Sequence, residues 1–261
     1  MFNMKPENQA TQLDRKIEKT RTYFNKKKPS GSDHFNPISD FVYRKISGII
    51  PEGTRGQKAV DLGCHWGRYT KILSESYGQV VGIDYAEKAL ESAYVSENIE
   101  YRLMDLDGNS DKLLEYAPVD FYLSVALFEM LKNPLTLCEN INLSMSVSGK
   151  LLVIILNRFS VNYLSLRLYM LLARVIKGKK MFIYNNGISK KKLIAFLKSS
   201  GLSVINHGSI VGVPVYLISK LPNIIQSFLI FFDAGIKILF GGSYIWVMAK
   251  KAIGHENCHN D

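Results

Sequence analysis

Asp61-Leu62-Gly63-Cys64-His65-Trp66-Gly67 and two later carboxylates, Asp84 and Asp105, are the residues whose types and spacing could do chemistry in this chain. Ala59, Val60 and Leu62 read as a short apolar strand that breaks at glycine and enters a helix carrying Tyr69, Ile72 and Leu73 on one face. Gly63 permits a tight turn, Gly67 removes a side chain where a ligand or a strand could approach, and the helix starting there offers N–H groups. Such a turn suits a nucleotide. A dinucleotide would need G-x-G-x-x-G, but His65 and Arg68 stand at its second and third glycine positions and would collide with a closely held pyrophosphate. Asp84 ends the apolar stretch Gln79-Val80-Val81-Gly82-Ile83, one strand further on. A carboxylate there can accept both hydroxyls of a ribose, with capping of the next helix as its structural alternative. Tyr85, next in the chain, could lie along a base.

Asp61-x-Gly63-x-His65-x-Gly67 resembles the first motif of class I S-adenosylmethionine (SAM) dependent methyltransferases, an acidic residue followed by x-G-x-G-x-G, with His65 at the middle glycine. The resemblance implies SAM as cofactor, held by Asp61, Gly63, Cys64, His65 and Gly67 at the turn, with Asp84 on the ribose and Tyr85 along the adenine. It also implies that Asp105, after the strand Ile99 to Met104, accepts from the adenine amino group while Leu106 lies against the ring. Asp107 belongs to a turn with Gly108 and Asn109. The stretch Val119 to Pro134 is similar to the family's fourth strand and following loop, where Ser124, Val125 and Leu127 are candidate pocket walls, with ordinary packing as the equal alternative. Glu129 of the usual Glu-His pair is present, but Met130 replaces the histidine that is the candidate base in several relatives. His34, His65 and His207 qualify by residue type alone, so no base is assigned. Leu156 to Arg158 with Ile188 to Leu193 bears a faint similarity to ubiquinone-biosynthesis O-methyltransferases, which act on lipid-tailed acceptors.

The elements needed to position these residues follow from alternation of strand and helix, five times up to the apolar run Leu151 to Leu156. A helix Ser189 to Ser200, capped at Gly201, leads to a sixth strand Leu202 to Asn206, and Ser243 to Ala249 supplies a seventh. The expected fold is α/β, a doubly wound Rossmann-like seven-stranded methyltransferase sheet with strand 7 antiparallel and helical cap insertions, ligand at the strands' carboxyl ends. One domain is expected: helices in residues 1–50 (8 to 24, and Pro37 to Ile50) with Tyr23, Phe24, His34 and Tyr43 over the pocket, and a cofactor core in 51–156. A cap insertion in 157–188, a C-terminal half in 189–251 with a second apolar insertion in 211–242, and a tail in 252–261 complete it.

Composition bounds the partners. The 261 residues are 47% hydrophobic with mean hydropathy near zero, enough for one large core. The net charge of +10 is clustered in lysine runs without a nucleic-acid-binding or base-flipping motif, which argues against nucleic acid as partner. Cys64, Cys138 and Cys258 are too few and scattered for a disulfide framework, and no basic-then-apolar leader opens the chain, so a cytoplasmic protein is expected. His255, Cys258 and His259 read as a polar tail rather than a metal site. The apolar stretches Val161 to Ile176 and Leu221 to Phe240 are interrupted by Arg167, Arg174, Asp233 and Lys237, which argues against a bilayer span. They fit a lid over an apolar acceptor, peripheral membrane contact, a dimer surface, or a helical cap packed on itself. The resulting expectation is methyl transfer from SAM to a small or lipid-like acceptor, O-methylation included. The alternative is a non-catalytic, membrane-associated scaffold on a degenerate fold of the same kind. Oligomeric state stays open.

Overall fold

The computed structural model describes Glu18, Thr22 and residues 37–177, 188–219 and 221–252. The helix expected over 8 to 24, with Tyr23 and Phe24, and also His34 and the tail histidines and cysteine lie outside these residues.

Seven strands form one sheet in the order β3-β2-β1-β4-β5-β7-β6. They are β1 (Lys58–Leu62), β2 (Gln79–Asp84), β3 (Ile99–Leu103), β4 (Val119–Val125), β5 (Met145–Leu156), β6 (Leu202–Ile210) and β7 (Tyr244–Lys251). The first five pair in parallel, and β7 runs antiparallel between β5 and β6. The chain winds outward from β1 to β3, then returns to place β4 on the other side of β1. The crevice outside the carboxyl ends of β1 and β4 is therefore the switch point where an open sheet of this kind accepts a ligand.

Alternation along the central strands fills both faces. Val60, Leu62 and Tyr122 join a core with Leu137, Ile141, Leu193 and Leu197, whereas Ala59, Phe121 and Leu123 point to the other face, against Leu73, Tyr77 and Ile46. The covering helices are α1 (Pro37–Ser47), α2 (Arg68–Ser76), the single turn α3 (Glu87–Leu90), α4 (Pro134–Ser144), α5 (Val161–Lys177), α6 (Lys190–Ser199), α7 (Val215–Ile218), α8 (Asn223–Phe231) and α9 (Asp233–Phe240). Pro134 starts α4, where its missing N–H costs nothing. Ser189 caps α6 by accepting from Lys192 N at 3.2 Å, and Gly201 leaves it at φ 79°.

Several bounds differ from the sequence reading. β5 begins at Met145, ahead of the apolar run, because Met145 pairs with Val119 before a register shift. β6 extends to Ile210 along β7. The two apolar insertions are α5 and the run α7 to α9, and no described helix is long and apolar enough to cross a membrane.

Candidate functional site

The glycine turn is closed by its own amides. Gly63 and Cys64 N–H both donate to the Ile83 carbonyl at 2.8 and 3.0 Å, Gly67 N–H donates to Cys64 O, and His65 N–H donates to Asp84 Oδ2 at 2.9 Å. Four donors that would otherwise form a phosphate nest are thus spent on the strand beside them. Together with the glycine spacing, this removes a pyrophosphate ligand on physical grounds. His65 takes φ 50°, the left-handed conformation that the missing glycine would take freely, so the turn keeps its path despite the substitution. Its ring rests on Trp66, centroids 4.3 Å apart.

Asp84 serves two elements. Oδ2 accepts from His65 N, and Oδ1 accepts from Ala86 N at 2.8 Å, fixing the entry to α3. Capping and ligand binding are therefore not exclusive: a carboxylate offers about four lone-pair sites, and the His65, Ala86 and Tyr85 backbone donors do not fill them all. Burial raises the Asp84 pKa, opposed by these backbone donors. Asp61 is buried on β1 and accepts from Thr70 Oγ1 at 2.6 Å and from the Thr70 backbone N–H, holding the first turn of α2 on the sheet. Burial pushes its pKa up to about 7. Asp61 thus positions the turn.

On the base side, Tyr85 and Asp105 share a cavity of about 240 Å³ with Leu103, Met104, Asn109 and Lys112. Asp105 Oδ1 accepts from Asp107 N at 3.1 Å, which aligns the carboxylate at the rim. Asp107 reaches further than its own turn: its Oδ1 accepts from Lys132 N at 2.7 Å and Asn133 N at 3.3 Å, tying the loop after β4 to the loop after β3.

The other expected residues take different positions. The Leu106 side chain joins the core with Leu113. Cys64 is buried with Sγ against Gly82 of β2, and burial, then Asp61 and Asp84, raise its thiol pKa far from the reactive range. Gly67 is glycine because the Tyr101 ring of β3 covers it, whereas a Cβ on Gly63, at φ 74°, would press on Leu127. His207 is exposed on the edge strand β6. Ser124, at the end of β4 beside Leu62, is fully buried, and among the described residues its Oγ has no hydrogen-bond partner.

The acceptor side of the rim holds residues that sequence reasoning did not assemble. Glu129 is buried after β4, its Oε1 accepts from Leu156 N at 3.0 Å, and Oε2 has no partner among the described residues. Burial raises its pKa to about 7. Tyr244 stands opposite Leu156 in the β5/β7 register, and its pKa is pushed up to about 12 by burial and the nearby Glu129. Tyr69 of α2 stacks on Tyr43 of α1, centroids 5.7 Å apart, and burial raises its pKa with Tyr244 contributing. The Arg68 guanidinium lies 4.5 Å over the Tyr43 ring and donates to Ser39 Oγ at 3.0 Å, fastening α1 beside the glycine turn. Of the four residues expected over the pocket, Tyr43 is the one within the described residues, half-buried on α1 against Tyr69. The sequence signal for this cluster was weak, since its members are tyrosines and one acid scattered over four elements.

Comparison with known proteins agrees with the fold. Residues 60–153 match the family model described as a methyltransferase domain. A ubiquinone biosynthesis O-methyltransferase of Idiomarina loihiensis is 25% identical over 112 residues, 41% of this chain and 45% of that protein, so the chain aligns with under half of the relative's length. A structure solved as a complex of the Haloferax volcanii Trm112 methyltransferase activator with a methyltransferase superposes with TM-score 0.61 at 15% identity, covering 90% of this chain and 98% of the other. Geranyl diphosphate C-methyltransferase of Streptomyces coelicolor, solved with Mg2+, geranyl diphosphate and S-adenosyl-L-homocysteine, gives 0.58 at 12% identity, covering 91% and 98%. These two likenesses concern the fold.

Two outcomes follow. The left-handed backbone costs an L-residue roughly 1–2 kcal/mol, partly offset by the extra freedom of glycine when unfolded. His65→Gly should therefore be more stable than His65→Ala by up to about 1 kcal/mol in urea denaturation, since both lose the same ring; equal midpoints would refute the strained turn. Glu129, with a folded pKa of about 7 against an ordinary 4.5, binds its proton more tightly in the native state, so its contribution is complete below about pH 4.5 and is lost as pH rises through 7. Between pH 5 and 8 the stability difference should shift toward Glu129→Gln by on the order of 1–3 kcal/mol; a pH-independent difference would contradict a protonated Glu129.

Proposed function

We propose that this chain, whose residues 60–153 form a class I SAM-dependent methyltransferase domain, transfers the methyl group of SAM to a small or lipid-like acceptor, with a hydroxyl as the receiving group. The observation that carries the reading is the Asp84 carboxylate, held between the glycine turn and the loop that opens the Tyr85–Asp105 cavity, with lone-pair capacity left beside its backbone bonds for a sugar hydroxyl.

The donor set fits such a cofactor. Among the described residues the buried charged side chains are all acids, and three of them, Asp61, Asp84 and Glu129, stand at the carboxyl ends of β1, β2 and β4. Each has its pKa raised by burial, so the rim favours a cation over a phosphate. Asp84 would take the ribose, Tyr85 and Asp105 the base, and the Gly63 turn with Ser124 the amino-acid end. When bound, SAM supplies an electrophilic methyl group on a positively charged sulfur.

The chain's own part is placement and proton handling. Tyr43, Tyr69 and Tyr244 supply ring faces against which an apolar or aromatic acceptor can be oriented, and orientation accounts for much of the rate in such a transfer. Glu129 Oε2 is the group available to take the proton of an acceptor hydroxyl, a task suited to an acid that titrates near neutrality. It stands beside Met130, where the family's histidine is absent. The lipid-like class is supported by the similarity to the ubiquinone-pathway enzyme and by the apolar helices around the site.

Isothermal titration with S-adenosylhomocysteine tests the cofactor assignment. Asp84→Ala should weaken binding about tenfold or more, as expected when a carboxylate that accepts a sugar hydroxyl is lost. Unchanged affinity in a variant whose circular dichroism matches wild type would remove Asp84 from the site.

A further inference from the structure

We propose that α8 and α9 form an interfacial anchor that lays this face of the protein on an anionic membrane surface. The helix pair carries apolar side chains on its outer face as well as its inner one. Its polar side chains point inward as tethers: Gln226, 1% exposed, accepts from Ile38 N at 3.2 Å and donates to Leu221 O at 2.8 Å. Asp233, also buried, accepts from Gly212 N at 2.6 Å and Val213 N at 3.2 Å, with Lys45 at 3.9 Å. Leu229, Ile230 and Ile236 pack on the core, whereas Ile224 is 80%, Phe231 83% and Ile238 81% exposed, with Phe228 and Leu239 also out. The rings of Phe228 and Phe231 each meet Phe232 edge to face, so the exposed surface is ordered. A cap packed wholly on itself would bury these residues too.

The charge distribution identifies the occupant. Residues 157–242 contain twelve Lys and Arg but one acid, Asp233, a net +11 in a chain whose total is +10. That one acid is buried and hydrogen-bonded, while on the elements beside the apolar helices Arg44, Lys45, Arg158 and Arg167 are exposed and Asp40 is paired with Arg68. The apolar stripe continues on α5, where Leu164, Leu168 and Leu171 are exposed at helical spacing with Arg167 beside them. A second copy would set these basic side chains against their own kind. Anionic lipid satisfies both features, apolar side chains entering the acyl boundary and basic ones meeting headgroups. A nine-residue α8, about 14 Å long, fits lying in the interface. The anchor is one helix from the glycine turn, because α1 bonds to Gln226 at one end and to Arg68 through Ser39 and Asp40. The inference stands without the methyl-transfer reading.

Flotation of the full chain with phosphatidylcholine vesicles, with and without phosphatidylglycerol, tests it. Wild type should float with the anionic vesicles and remain below with the neutral ones, and high salt should release it. Phe231→Asp should lower the floated fraction about fivefold or more, while Val95→Asp, on an exposed loop elsewhere, should leave it unchanged. Circular dichroism and thermal melting of each variant separate loss of docking from loss of fold. Three outcomes would overturn the proposal. They are failure of wild type to float, flotation indifferent to Phe231→Asp, or a wild-type dimer in light scattering that Phe231→Asp disperses.

Discussion

The carboxylate of Asp84 is the interaction on which the arrangement of the site depends. A strand end and two loops that would otherwise leave unpaired backbone donors meet at this one side chain, His65 N on one oxygen and Ala86 N on the other. A buried donor without a partner costs about 1–3 kcal/mol, so the two bonds are worth most for what they prevent. Their second effect is on shape. They hold the turn after β1 at a fixed distance from the loop after β2, and the cavity lined by Tyr85 and Asp105 opens beside that junction. Asp61 repeats the device one strand away, binding Thr70 so that α2 starts where the turn ends.

These acids also set the electrical character of the rim. Burial works against ionisation, and no buried Lys or Arg among the described residues offsets it. Asp61 and Glu129 are held near a pKa of 7, so at neutral pH the rim is poised to gain negative charge when a cation arrives. A sulfonium ligand matches that potential where a pyrophosphate opposes it. The same poise leaves Glu129 able to accept a proton on the side of the rim where the tyrosines gather.

Much of the fold was legible because it rests on periodicity. β4 falls at Val119–Val125 as the apolar run indicates, and the antiparallel seventh strand follows from the segment after the second insertion. The residues at strand ends were legible too, since Asp84, Tyr85 and Asp105 sit where alternation ends and loops begin. Roles that depend on a neighbour from another strand were not. Gly67 answers to Tyr101, Cys64 to Gly82, and Leu106 to the core, and none of those partners is near in sequence. Tyr69, Tyr244 and Glu129 come together from α2, β7 and the loop after β4, a meeting that only the strand order determines. The outward apolar face of α8 and α9 was hidden for another reason: an apolar stripe at helical spacing reads the same whether it faces in or out, and Gln226 and Asp233 decide it only through the backbone groups they bind.

A crystal structure with S-adenosylhomocysteine bound examines the central claim most directly. The account predicts a ribose hydroxyl within hydrogen-bonding distance of the Asp84 carboxylate, its bonds to His65 N and Ala86 N intact, and the adenine in the cavity between Tyr85 and Asp105. An adenosine bound away from Asp84, or a ribose that displaces the His65 N–H from it, would contradict the account.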